Sequence, residues 1–361
     1  MRVLDRYVFR TFLRVFAVAL LAFGMILVAI DFFGRLGYFL DESRVEGTFA
    51  AEYSTVRIVA LFYAVYVPFL LQQVLPFVTV SAGLLTVAHM LHGNEVAPVV
   101  AAGTSARRLL LPVFLAGLAI SLGHIAFQQF LVPELSRQQL ALKRFFSGEQ
   151  TGVENPSHMR DGKGTVTRAG SYRYDDGALT GVVVQRPWGK GGFEIWKAAL
   201  LLPDGDGWVA PDGVEIQPPG VDSLPRRLEK GARVELGVTP HDVDALATKR
   251  GTAALSLGQI RALAEKFPGR RNLSVALHKQ VARPFASVAM LLVGVPLLLS
   301  AGRAYFAGGA LAFALSMAYY FLDIFFTSLG DRGDVPPLLA AYLPLVLLLS
   351  LGVGRLATVP T

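Results

Sequence analysis

Long apolar runs occupy both ends of this chain, and a more polar stretch separates them. The runs before residue 134 cover residues 15–30, 58–88 and 109–132. The runs after residue 274 cover residues 284–301, 304–329 and 335–354. Because roughly 20 apolar residues in a helix cross a hydrocarbon core, the pattern predicts an α-helical membrane protein with six spans, three in each half.

The second run is too long for a straight span. Residues 58–88 contain no charge, and a helix of that length covers about 46 Å against a hydrocarbon core of about 30 Å. The helix must therefore tilt, kink or leave the bilayer. Pro68 and Pro76 are the predicted kink sites, because proline removes a backbone hydrogen bond inside a helix.

The placement of arginine predicts the orientation in the membrane. With six spans, both termini lie on one side, and the short segments of that side hold Arg2, Arg6, Arg10, Arg14, Arg107, Arg108, Arg303 and Arg355. The short segments of the other side hold Arg35, Arg44, Arg57 and Arg332. Basic residues favour the cytoplasmic side. We therefore predict cytoplasmic N- and C-termini, with residues 134–274 outside the inner membrane.

The central stretch has the pattern of an all-β domain. Its β-branched and aromatic runs cover residues 164–174, 179–186, 193–202 and 208–216. Gly-, Pro- and Asp-rich turns separate these runs, which favours a sandwich or jelly roll. Near the end, Ser256 and Gln259 have capping-box spacing, and apolar residues follow at helical intervals. The predicted domains are residues 1–133, 134–274 and 275–361.

Composition agrees with this class of protein and excludes some chemistry. Hydrophobic residues make up 53% of the chain and charged residues 17%, whereas soluble domains carry roughly 25% charged residues. The absence of cysteine excludes disulfides, thiolate nucleophiles and cysteine-ligated metals. The net charge of +7 is dispersed along the chain, so nucleic acid is not a predicted partner.

The sequence predicts no catalytic and no metal site. Residues 162–165 (GKGT) come nearest to a phosphate-binding loop, but Ser157 stands where its leading glycine belongs. A turn between strands explains these residues. His89 and His92, and His241 with its acidic neighbours, do not supply a full ligand set. We therefore predict that the chain is not an enzyme and that a partner would supply any hydrolysis of ATP.

The segment between the second and third runs is too long for a simple turn, and it carries helix boundaries. At about residues 89–103 it predicts a short helix, capped by Asn94 or beginning near Pro98. Glu95 then lies in the first turn, where a carboxylate suits the helix dipole. Gly103 is the predicted end of the helix, and Thr104 or Ser105 the cap of the next one.

Six segments together resemble the LptF/LptG permeases of the Gram-negative lipopolysaccharide exporter. They are LDRYVFRTFLRVF at residues 4–16, NEVAPVVAAGTSARRLLLP at 94–112, WKAALLLPDGDGWVAPDG at 196–213, LSLGQIRALAEKF at 255–267, HKQVARPFASVAMLLVGVPLLLSAGR at 278–303 and MAYYFLDIFFTSLGDRGDVPPLLAAYLP at 317–344. Their order also fits, and the LDRYV start is more similar to the LptG branch. Tyr342 and Leu345 depart from the family's frequent Trp and Asn.

The resemblance implies a role and a set of partners. Two such permeases pair around a cavity, and a cytosolic ABC ATPase dimer, which binds ATP and magnesium, drives them. Lipopolysaccharide leaves the outer leaflet of the inner membrane and enters periplasmic jelly-roll domains. It then passes to a single-span periplasmic accessory protein and a periplasmic bridge protein. The resemblance implies no cofactor on the chain itself.

The resemblance also suggests functional residues. It implies that residues 89–103 form the coupling helix for the ATPase, with Asn94, Glu95 and Gly103 shaping it and Glu95 meeting a basic residue. A solvated surface carboxylate is the alternative for Glu95. The candidates for binding the anionic substrate are Arg35, Arg57, Arg137, Asp31 and Asp323. Snorkelling to the interface is the alternative for the arginines, and either aspartate is a candidate partner of Arg35.

The β domain offers a candidate acyl groove. Its apolar candidates are Phe193, Ile195, Trp196, Leu200 and Leu202. Core packing is the favoured interpretation for most of these side chains. Two other functions remain open at the level of sequence, a secondary transporter with ion ligands in the membrane and a membrane-anchored periplasmic scaffold that binds a ligand.

Overall fold

The computed structural model describes most of the chain. The described residues are 3–39, 55–136, 152–154, 159–173, 176–189, 192–219, 224–247, 252, 255–301 and 304–357. The chain forms two compact units. The membrane unit comprises residues 1–39, 59–135 and 275–361, and the β unit comprises residues 40–58 and 136–274.

The helices are numbered in chain order. They are α1 (Val3–Phe39), α2 (Thr55–His92), α3 (Val96–Ala101), α4 (Ala106–Ala126), α5 (Pro240–Ala247), α6 (Leu257–Lys266), α7 (Arg271–Ser300), α8 (Tyr305–Arg332) and α9 (Pro337–Ala357). Among the described residues, six helical segments are long and apolar enough to cross a membrane: α1, α2, α4 with its extension to Ser136, α7, α8 and α9. The six predicted spans are therefore confirmed.

The fourth span begins earlier than its apolar run. The run starts at Pro284, but α7 starts at Arg271 and is helical through both Pro284 and Pro296. Polar side chains at the start of α7 hide its length from a hydropathy pattern, although they do not prevent helix formation. The predicted kink sites Pro68 and Pro76 likewise lie within the continuous α2, as prolines in membrane helices often do.

Small residues let helices approach closely in the membrane unit. A side chain at Gly83 of α2 or at Gly117 of α4 would overlap Leu291 of α7. A side chain at Gly352 of α9 would meet Leu292 of the same helix α7. Because lipid tails are as apolar as leucine, such close packing is a main source of helix association in a bilayer. Helix α7 is accordingly the most buried of the candidate spans.

The helix α4 does not end with regular geometry. A π-helical turn follows it at Phe127–Leu131, and the helical path continues to Ser136. Within the π-helical turn, the buried residue is Gln128. π-helical turns are rare and occur often at functional sites.

The β unit is antiparallel in all its described pairings. Its strands are β1 (Gly152–Glu154), β2 (Met159–Arg160), β3 (Val166–Arg168), β4 (Ser171–Arg173), β5 (Leu179–Trp188), β6 (Gly192–Asp204), β7 (Gly207–Ala210), β8 (Val214–Gln217), β9 (Arg226–Leu228) and β10 (Ala232–Val234). The long β5–β6 hairpin is central: β3 and β4 pair with the free edge of β5, and β7 and β8 pair with β6. The prediction of an inserted all-β domain is confirmed.

Two of the predicted strands are divided. The described residues 164–173 of the first contain β3 and β4, with a bend at Gly170, and residues 208–216 contain parts of β7 and β8. Gly213 is the last residue of the break between β7 and β8, has a φ of 83° and lies against the carbonyl oxygen of Leu228. Only glycine adopts this conformation without strain, so the turn interrupts what looked like one strand.

Buried aromatic residues fill the core of the β unit. Trp208 is fully buried, and its indole nitrogen donates to the carbonyl oxygen of Val238 at 2.8 Å. The Tyr172 hydroxyl donates to Asp244 of α5 at 3.0 Å. The predicted capping box is confirmed, because the Ser256 and Gln259 side chains each accept a hydrogen bond from the backbone nitrogen of the other.

Candidate functional site

Asp31 and Arg35 form an ion pair near the end of α1. Their side chains lie one helical turn apart, with Arg35 Nε 2.8 Å from an Asp31 carboxylate oxygen. Tyr63 of α2 donates to that same oxygen at 3.0 Å, and Tyr66 donates to the other at 3.3 Å. The guanidinium also lies over the rings of Phe62 and Tyr66, at 5.6 and 5.1 Å from their centroids.

The environment of Arg35 leaves room for a further contact. The exposed fraction is 36% for the Arg35 side chain and 17% for that of Asp31. Asp31 neutralises the positive charge in place, and the aromatic rings hold the guanidinium plane. Asp31 is thus a partner of Arg35 in this structure. A direct role of either residue in binding an anionic lipid stays a prediction.

Asp323 has a different partner, which sequence reasoning missed. Lys279 of α7 lies 2.7 Å from the Asp323 carboxylate on α8, and both side chains are largely buried. The ammonium also donates to the hydroxyl of Thr327, one turn beyond Asp323. Lys279 precedes the apolar run that predicted the fourth span, and it therefore looked like a residue outside the membrane. The pair could not be predicted because the hydropathy pattern did not show that α7 includes Lys279.

Arg57 and Arg137 are the other two residues predicted to bind the substrate. Arg57 is exposed in the first turns of α2, and it belongs to the β unit by its contacts. Arg137 lies outside the described residues. The structure therefore brings together only Asp31 and Arg35 from the predicted set.

The loop between α2 and α4 contains the short helix α3. Glu95 occupies the N-cap position, and Asn94 precedes it with a left-handed φ of 51°. The expectation that Asn94 caps the helix is wrong, because the helix begins one residue later. Gly103 has a φ of 84°, and its backbone nitrogen donates to Val100 while that of Thr104 donates to Val99. This pattern is a Schellman motif, which confirms Gly103 as the helix end.

The surface of α3 is apolar and largely exposed. Val96 and Val99 pack partly against the core of the membrane unit, whereas Ala97, Pro98 and Val100 are exposed. A helix of six residues is not stable alone. Its inner valines and the Schellman turn hold it, and the outer apolar surface is available to another molecule.

Glu95 has an intramolecular partner. The Tyr7 hydroxyl of α1 lies 3.0 and 3.1 Å from the two Glu95 carboxylate oxygens. Tyr7 and Glu95 are 88 residues apart, so no local pattern reveals their contact. The hydrogen bond holds the carboxylate beside α3.

The β6 residues proposed for an acyl groove differ in burial. Phe193 is 58% exposed, and Ile195, Trp196, Leu200 and Leu202 are half-buried. The fully buried positions of β6 are Ala198 and Leu201, one on each face of the strand. Core packing and an acyl groove both stay predictions for the half-buried residues. Arg186 covers the Trp196 ring at 4.1 Å.

The described part of the chain contains no group of three or more His, Asp or Glu side chains with the geometry to hold a metal ion.

The architecture and the charged sites can now be compared with known proteins. Residues 6–358 match the family described as lipopolysaccharide export system permease LptF/LptG. The chain belongs to the LptF/LptG family. No individually curated protein gives a significant match to it.

Membership places the chain in the membrane component of the lipopolysaccharide export system. Such a permease is a transporter subunit and is not itself catalytic. The match covers both apolar halves and the β unit between them, which agrees with the resemblance seen in the ordered segments. Whether the chain is of the LptF or the LptG type is not decided by the match, so the LptG-like assignment stays a prediction.

Proposed function

We propose that this chain is a permease subunit of an ATP-driven lipopolysaccharide exporter in the inner membrane. It pairs with a second LptF/LptG-type permease and binds a cytosolic ABC ATPase dimer, with its termini in the cytoplasm. It extracts lipopolysaccharide from the outer leaflet and passes it through the β unit to periplasmic partners. The family match over residues 6–358 carries this proposal.

The α3 surface supports a protein partner on the side of the termini. Exposed Ala97, Pro98 and Val100 form an apolar patch outside the six candidate spans. Small, pre-formed apolar surfaces of this kind suit insertion into a groove, where they bury area at a low entropic cost. Glu95, oriented by Tyr7, adds a carboxylate beside the patch. A basic residue of the ATPase is the partner that its charge favours.

Substituting Glu95→Lys tests this contact. We expect at least about a tenfold loss of ATPase co-purification with the permease pair, because truncating or reversing one member of an interfacial charge pair costs about 2–5 kcal/mol. The measurement is quantitative pull-down of the complex in mild detergent. Asp334→Lys, an equal charge change at an exposed position after α8, is the matched control.

The Tyr7→Phe variant tests the orientation of the Glu95 carboxylate separately from its charge. This change removes the hydrogen bond to Glu95 and keeps the carboxylate. We expect a smaller loss than for Glu95→Lys. Normal assembly and export with Glu95→Lys would exclude Glu95 from coupling, and a loss of equal size with Asp334→Lys would show that the effect is not specific.

Arg35 is the predicted contact for a lipid phosphate. Its guanidinium is held by Asp31 and two aromatic rings, and a third of the side chain is exposed. A pre-oriented planar cation can add a further charge-assisted hydrogen bond to a phosphate oxygen. The ion pair with Asp31 limits the net charge, so we expect Arg35 to position a headgroup more than to attract it.

Photo-cross-linking tests the path of the lipid. A photoreactive residue at position 35 should form a covalent adduct with lipopolysaccharide in cells that export it. The same residue at Arg108, exposed at the start of α4, should form none, because that end of α4 is predicted to be cytoplasmic. Adducts at position 108 and none at position 35 would reverse the proposed orientation.

The whole assembly can be tested in one purification. The chain isolated in mild detergent should bring with it a second permease and an ATPase, identified by mass spectrometry. Depletion of the chain should cause lipopolysaccharide to accumulate at the inner membrane. Transport that depends on a proton or sodium gradient, with no ATPase present, would instead favour a secondary transporter.

A further inference from the structure

Helix α7 carries a second basic residue one turn beyond Lys279. Arg283 lies about 18 Å along the axis from the start of α7 at Arg271, directly before the uncharged run of residues 284–301. In the fully described stretch from Leu273 to Leu299, the exposed residues are Val281 and Arg283. This strip interrupts a helix that is otherwise buried or half-buried.

Arg283 lacks the neutralising contact that the other basic groups of this region have. Lys279 is engaged by Asp323 at 2.7 Å, and Arg35 by Asp31 at 2.8 Å. Within the part of the chain that the structure describes, the Arg283 guanidinium makes no hydrogen bond or ion pair. Its charge is within electrostatic range of Lys279 and of His124 on α4, neither of which is an anion.

Three polar groups, on α4, α7 and α8, are also without a hydrogen-bond partner. The His124 Nδ1, Ser287 Oγ and Tyr320 hydroxyl atoms are buried and have no hydrogen-bond partner in the structure. His124 and Ser287 are almost completely buried. Ser287 follows Arg283 by one helical turn, and Tyr320 of α8 is also within electrostatic range of Arg283. Buried polar atoms without a partner are costly, so hydrated or ligand-bound groups are expected beside this strip.

The position of Arg283 suits contact with a lipid headgroup. Arg283 directly precedes the uncharged run of residues 284–301. That run is about 27 Å long as a helix and nearly fills a hydrocarbon core of about 30 Å. The guanidinium is therefore expected at the edge of the hydrocarbon, at the level of the lipid headgroups.

We propose that Arg283 is a specificity-determining residue that binds a phosphate group of the transported lipid. The proposal rests on the proposed function. The guanidinium supplies a planar set of donors that matches phosphate oxygens. Because no carboxylate among the described residues pairs with it, Arg283 provides the net positive charge that the Asp31–Arg35 and Lys279–Asp323 pairs do not.

The experiment uses the complete complex of both permeases and the ATPase in lipid nanodiscs. The probes are phosphorylated lipid A and the same lipid with its phosphates removed. We expect Arg283→Gln to weaken binding of the phosphorylated lipid about tenfold or more, and Arg283→Lys to weaken it less. Neither change should alter binding of the dephosphorylated lipid. Arg261→Gln, at an exposed arginine of α6 in the β unit, is the matched control.

The possible outcomes separate the alternatives. Equal loss for both lipids, or no loss, would overturn the proposal. Dissociation of the second permease from Arg283→Gln would show that a carboxylate of that subunit is the partner instead. Displacement of the lipid by inorganic phosphate alone would indicate a site for the free ion. If the wild-type complex binds neither lipid, the proposed function itself fails, which is a different result from a failure confined to Arg283 variants.

Discussion

The ion pairs Asp31–Arg35 and Lys279–Asp323 of the membrane unit differ in what they join. Asp31 and Arg35 lie on the same helix, one turn apart, and reach α2 only through the hydroxyls of Tyr63 and Tyr66. Lys279 and Asp323 lie on different helices and join α7 directly to α8. The second pair is also more buried, with exposed side-chain fractions of 17% and 14% against 36% and 17%.

This difference indicates where the helices are joined more firmly. An intrahelical pair is satisfied whether or not the neighbouring helix stays in place. A buried pair between helices leaves two uncompensated charges when the helices separate, which is far more costly. We therefore expect α1 and α2 to part at a lower cost than α7 and α8.

Lys279→Met should have the largest effect on stability. It leaves the Asp323 carboxylate buried without its cation, and breaking a buried pair costs about 3–5 kcal/mol. We expect a clear fall in the Tm of the purified complex. The double variant Lys279→Met/Asp323→Leu should recover much of that fall, because it removes both charges. Equal Tm values for the single variant and the wild type would contradict the role assigned to this pair.

Thr327→Val should have an intermediate effect. The Thr327 hydroxyl accepts a hydrogen bond from Lys279, and hydrogen bonds to charged groups contribute about 1.5–3 kcal/mol. Valine has nearly the same shape and lacks the hydroxyl. Thr327→Ser is the control, since it keeps the hydroxyl. An unchanged Tm for Thr327→Val would show that the hydroxyl does not stabilise the pair.

Asp31→Asn should have the smallest effect on stability. Arg35 is partly exposed and also contacts Tyr66, so its charge can reach water after Asp31 is neutralised. Partly exposed pairs contribute about 1 kcal/mol or less. The measurement is again the Tm of the complex. A loss as large as that of Lys279→Met would remove the distinction between the two pairs.

The membrane spans were predictable because each depends on the composition of one continuous segment. The ends of the spans could not be predicted, as helix α7 shows. Arg271, Lys279 and Arg283 lie in one helix with the apolar run, but hydropathy registers charge as a break. The partner of Asp323 could not be predicted for the same reason. Lys279 and Asp323 are 44 residues apart in the chain, and only helix packing sets their distance.

In the β unit, too, local contacts could be predicted from the sequence, whereas the burial of side chains could not. The capping box of α6 was predictable because Ser256 and Gln259 are three residues apart and their contact is local. The burial of each β6 side chain could not be predicted. Phe193 is exposed, whereas the smaller Ala198 is buried, so size and hydrophobicity alone do not select the inner face. The pairings of β6 with its neighbours decide which side chains point inward.

The sequence by itself determined that this is a six-span membrane protein of the LptF/LptG family with an inserted β domain, because apolar length and turn chemistry are local properties. Tertiary structure alone decided which charges are neutralised. Asp31 binds Arg35, Lys279 binds Asp323, and Arg283 has no such partner in the described chain. Electrostatic energy depends on distance between side chains, and packing of distant segments sets that distance.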